Sequence, residues 1–182
     1  MKSEVRELLT DELKDAYSAE KQALRCMQKA LRKASAEALR EGIQLHIEQT
    51  QVQIERVEQA MEKMNVRPGR KVCEAMRGLV DEAQQEIEAR GEKGPILDLV
   101  IVAGMQRIEH YEIAAYGTGL ALAKAVGETD VAALLAETLE EDRGDAEGNY
   151  AGGTRRGRGG KRRRSQRWKV GGHPQESRLS LL

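Results

Sequence analysis

Glu20, His46, Thr50, Gln53, Glu112, Thr138, Glu141 and Asp145 are polar residues that fall where helical spacing asks for apolar ones. Glu20 sits in the row Leu9, Leu13, Ala16, Ala23, Met27, and Glu112 in the row Ile101, Met105, Ile108, Ala115, Leu122. Steps of three and four put each row on one helix face, and that face turns to the core. If the helices pack as these rows demand, the polar groups meet near mid-height. A buried, unpaired carboxylate costs several kcal/mol, roughly the effective penalty for one buried ion. Several together require protons, cationic partners or a metal.

The chemistry that fits is a pair of metal ions. Bundles that hold two iron or manganese ions take a Glu from each of two helices and Glu-x-x-His from the other two. Oxygen donors with an imidazole suit these metals. Here Glu48-x-x-Gln51, Glu109-x-x-Glu112 and Glu137-x-x-Glu140 all lack the His. The residues therefore leave two readings open. One is a dinuclear site with Glu20, Glu112 and Glu141 as anionic ligands, His46 as ligand or supporting partner, and Thr50 and Gln53 orienting ligands or water. The other is a metal-free polar core in which Glu20 or Glu112 is protonated and paired to His46. His110 belongs to a neighbouring face, Glu48, Glu55 and Glu58 to a solvated one, and Tyr17, Tyr111 and Tyr116 fill core and interface.

The elements that position these groups are helices. The chain has no Phe, one Trp and four Tyr in a background of Leu, Ala, Glu, Gln, Lys and Arg, a helix-forming alphabet. Periodicity predicts helices over residues 4–33, 36–65, 72–90 and 95–125, and a last one from Asp130 that fades after Asp145. Pro68-Gly69 and the RGEKGP stretch separate them, with Pro95 suited to a first helical turn. Two long helices, a short connecting helix and two more make an all-α four-helix bundle with a crossover. Glu20 to Glu48 and Glu112 to Glu140 span the same 28 residues, the spacing of a duplicated hairpin or of chance in a Glu-rich chain.

Zero net charge hides two opposed parts. Residues 151–182 hold ten Lys/Arg and one acidic residue, Glu176, so the body carries a net −9 and the tail +9. No apolar run reaches the ~20 residues needed to span a bilayer. The charged opening MKSEVRELLTDELKDAY reads as helix and not as an export signal. With Cys26 and Cys73 both in helical pattern, the expectation is a cytoplasmic protein with reduced thiols and no membrane association. No phosphate-binding loop or Ser/His/Asp arrangement points to other catalysis.

DELKDAYSAEKQAL, HIEQTQVQIERVEQ, CEAMRGLVDEA, RIEHYEIAAYGT and ETLEED resemble, in this order, the YciE/YciF family of bacterial ferritin-like stress proteins. The likeness covers residues 4–145. It implies a rubrerythrin-like bundle, usually a homodimer, with a dimetal site and no well-established reaction. Carried over by position, it adds Glu109 to Glu20, His46 through Gln53, Glu112 and Glu137 through Glu141. Two departures stand out: Gln49 replaces a frequent Glu, and DRGDAEGNYAGG follows the acidic run where the family's helix continues. The last helix is thus expected to be short.

The expected organisation is a ferritin-like bundle domain at 1–147 and a disordered Arg/Gly-rich tail at 148–182. Residues 155–169 carry nine Lys/Arg and no acid, a composition that buries no core. Such a segment resembles those that bind nucleic acid weakly through phosphates, with Trp168 able to stack on a base. It could equally fold onto the acidic body or be an incidental extension. The functional expectation is iron- or manganese-based redox, oxygen or peroxide handling. Its rivals are a non-enzymatic helical dimer with a metal-free polar core and nucleic-acid binding by the tail.

Overall fold

The computed structural model describes residues 1–148. The basic tail, with the disorder and nucleic-acid binding expected of it, lies outside the described residues, as does the side chain of Asp145.

Five helices follow in order: α1 (Lys2–Lys33), α2 (Glu37–Lys63), α3 (Glu74–Arg90), α4 (Pro95–Val126) and α5 (Thr129–Gly148). Each break has a local cause. Pro95 occupies the first turn of α4, where its missing N–H costs no hydrogen bond. Gly127 ends α4 in the left-handed region at φ +84°, with its N–H reaching the Ala123 carbonyl. At the start of α3 the Cys73 sulfur accepts the Met76 N–H at 3.3 Å.

No local side chain caps α2. Asp98, buried in the first turn of α4, does so from a distance. Its carboxylate accepts the Ser35 N–H at 2.8 Å, the Ser35 hydroxyl at 2.6 Å and the Ala36 N–H at 2.9 Å. Burial alone would raise the Asp98 pKa, but these three hydrogen bonds outweigh it and hold the carboxyl below its usual range. A depressed carboxylate stabilises the fold above its unfolded pKa, and that contribution disappears as pH falls through the folded one. Asp98→Asn should therefore cost about 1–3 kcal/mol at neutral pH. In urea melts the gap between parent and variant should close below about pH 4; a gap independent of pH would show that charge is irrelevant there.

Round the bundle the order is α1, α2, α5, α4, which leaves α2 and α4 diagonally opposed, while α3 lies across α1 and α4. At the α3–α4 crossing, a Cβ on Gly104 would stand 3.0 Å from the Ala83 Cβ, tighter than ordinary contact, so glycine lets the two helices approach without either shifting. Two apolar clusters fill the interior. One holds Leu9, Leu13, Val57, Met61, Tyr116 and Leu135, the other Met27, Ile43, Met76, Ile101, Met105 and Ile108. Between them lies a polar layer.

Candidate metal centre

The polar layer is built by four helices. α1 contributes Glu20, α2 His46, Thr50, Gln53 and Arg56, α4 Glu109, Glu112 and Tyr116, and α5 Thr138 and Asp142, all of them buried. Glu20 and Glu109 have no exposed surface at all. The 3.6-residue turn places Glu109 and Glu112 on one face of α4, three apart, with Tyr116 a further turn along.

His46 and Glu109 close the diagonal of the bundle, with Nε2 3.3 Å from Oε2. One ligand atom each from His46, Glu109 and Glu112 lies within 4.8 Å of the others. Beside them, the Tyr116 hydroxyl donates to Glu20 Oε1 at 2.5 Å, and Gln53 Nε2 donates to Asp142 Oδ1 at 2.8 Å. Among the described residues of the layer, Glu20 Oε2, Glu112 Oε1, Thr50 Oγ1 and Gln53 Oε1 are buried without a hydrogen-bond partner. Orphaned oxygens are uncommon in native interiors. A hard cation among these donors would satisfy them, so the residues fit a metal.

The electrostatics agree. Burial, followed by repulsion from Glu20, Asp142 and Glu109, raises the Glu112 pKa well above the carboxylate range. Burial pushes Glu20 up to about 7, with repulsion from Glu141 added and the Tyr116 hydrogen bond and Arg56 opposing. Without a cation this layer must hold protons.

Most residues expected from the sequence arrive here: Glu20, His46, Thr50, Gln53, Glu109 and Glu112 share the layer. Glu141 takes a different place. Its carboxylate is gripped by the Arg56 guanidinium through two hydrogen bonds of 2.7 Å and remains 32% exposed. Asp142, one residue on and rotated by a third of a turn, is the α5 carboxylate that faces inward. The signal was available, since Asp142 follows buried Leu135 by seven positions, about two turns, while Glu141 follows it by six and falls on a neighbouring face. Ala115 and Leu122 likewise give way to Tyr116 and Ala123 as the buried positions on α4, because apolar steps drift round a helix of 32 residues. Glu48 and Glu140 are exposed, as is Glu137, so the 28-residue interval does not mark a repeated ligand. His110, Glu55 and Glu58 are exposed as expected. Tyr116 and Arg56 were not anticipated as parts of the site.

A family profile for a domain of unknown function, DUF892, matches residues 4–147. The chain belongs to this family, which is that of YciE and YciF. Protein YciF of Escherichia coli (strain K12) is 45% identical over 132 residues, 72% of this chain and 79% of YciF. The crystal structure of the E. coli stress protein YciF superposes with a TM-score of 0.73 at 40% identity, covering 78% of this chain and 89% of that one. YcfI from Rhodopseudomonas palustris gives 0.74 at 37% identity, over 78% and 90% of the two chains. The all-helical fold of the YciE/YciF family is thus this chain's fold. No described helix is long and apolar enough to cross a membrane.

Proposed function

We propose that this chain holds iron or manganese in the bundle core and that the centre handles oxygen or peroxide. The observation that carries this reading is the buried grouping of His46, Glu109 and Glu112 within 4.8 Å, in a layer that also contains Glu20 and Asp142. Five donors from four helices are enough for a dinuclear centre. His46 supplies the neutral nitrogen, Glu109 and Glu112 the carboxylates nearest it, and Glu20 and Asp142 the outer carboxylates. Tyr116 fixes the orientation of Glu20, and Gln53 that of Asp142. Apolar clusters on both sides keep bulk water out. Iron or manganese bound there would supply one-electron redox chemistry that no side chain in the layer offers.

The test is elemental analysis of protein purified without chelator, then of protein dialysed against Mn2+ or Fe2+. Iron or manganese at or above one equivalent per chain is the expected result. A chain that retains neither metal after dialysis would leave a proton-filled polar core as the correct description.

A further inference from the structure

The carboxylate layer is closed to solvent, so a cation needs a way in. Along the bundle axis the layer is stoppered by the two apolar clusters. Across the bundle, a line of polar groups runs from the surface to the layer, in the seam between α2 and α5. Glu137 lies outermost, its side chain 61% exposed, and its Oε1 is 3.1 Å from Arg56. Arg56 comes next, gripping Glu141 and donating to the Thr138 hydroxyl at 3.2 Å. Gln53 is innermost, its amide nitrogen shared between Glu141 at 3.3 Å and buried Asp142 at 2.8 Å. Its carbonyl oxygen is buried and without a partner.

We propose that this seam is the entrance for divalent cations and that Arg56 is its latch, an inference that rests on the metal reading above. With the fork closed on Glu141, a guanidinium charge blocks the seam and repels cations. Arg56 already has a second anchor further out, in Glu137. Letting go of Glu141 while keeping Glu137 moves the positive charge toward water. It also frees the partly exposed Glu141 carboxylate and opens the way past it to the Gln53 carbonyl and the Asp142 carboxylate. Each is an oxygen donor suited to a hard cation. Once the cation has passed, the fork closes again on Glu141. This accounts for an arginine held in a seam of otherwise acidic and amide groups, where it cannot itself ligate a metal.

The experiment uses full-length, chelator-stripped protein and Mn2+ as the probe. Uptake is followed by loss of the free-ion EPR signal after rapid mixing, and release by transfer to excess EDTA. Arg56→Lys keeps the charge but lacks the fork; Arg56→Met removes both. In each variant uptake and release should both quicken about tenfold, the fold-change of ~1.4 kcal/mol of latch energy. Glu137→Gln changes an exposed position with little bearing on folding and should slow both rates by removing the outer anchor.

Rates like the parent's in both Arg56 variants would overturn the latch. So would faster uptake with slower release in Arg56→Met alone, because that is the effect of deleting a charge. A parent protein that binds no Mn2+ would instead remove the metal reading itself, and the entrance with it.

Discussion

Glu112→Gln is expected to strip metal from the protein while leaving its helical content intact. Glu112 is buried, lies within ligand distance of His46 and Glu109, and carries an oxygen without a partner. An amide in its place keeps the shape but loses the anionic charge that a cation needs. A metal that binds only the folded state stabilises it by about 2.7 kcal/mol at a hundredfold excess over its dissociation constant. For a chain of this length that raises the melting temperature by roughly 5–10 °C. Mn2+ or Fe2+ should therefore shift the parent by this amount and the variant barely at all. Without metal the order reverses at neutral pH. Burial and its carboxylate neighbours hold Glu112 far above its usual pKa, so the variant, relieved of that penalty, should melt higher than the parent. Calorimetry of both proteins with and without metal reads both halves. Stabilisation by the substitution with no response of the parent to metal would mean that Glu112 is a buried acid and nothing more.

The chelator-stripped parent should itself weaken as pH rises, against the usual trend. Glu20 has a folded pKa of about 7 against an ordinary value of 4.5. A raised carboxyl contributes stability that is fully present below the unfolded pKa and is lost as pH climbs through the folded one. On the order of 3 kcal/mol is at stake from Glu20 alone, or roughly 6–12 °C in melting temperature. Glu112, also raised, extends the loss to higher pH. The window opens near 4.5, above the range in which Asp98 acts with the opposite sign. Melting curves at about pH 5 and about pH 8 should show the fall, Glu20→Gln should flatten it, and Mn2+ added at the higher pH should restore the lost stability. A metal-free protein with equal stability at both ends would show that these carboxylates meet water or a permanent cationic partner.

Both expectations rest on a layer that is partly legible in the order of the amino acids alone. Glu20, His46 and Glu112 interrupt apolar rows on three separate helices, and a row of that kind must face the core whatever the topology. Helix limits follow from Pro95, Gly127 and the NVRPGRK break, since proline and left-handed glycine act within a turn of themselves. Glu109 is less visible, because it precedes His110 on a face that no apolar row marks as clearly, and family likeness supplies it.

The helices, their amphipathic faces and the acid and imidazole on those faces follow from residue order alone, because periodicity and capping act over a few residues. Which of these groups touch depends on how the helices pack in the folded chain. That packing turned α5 so that Asp142 faces inward and Glu141 meets Arg56. It brought the Tyr116 hydroxyl to Glu20, 96 positions away in the chain, and set Asp98 of α4 at the start of α2. A one-residue change in helix rotation swings a side chain by about 100° with no change in local propensity. Which carboxylate enters the core is therefore settled by how four helices close around it.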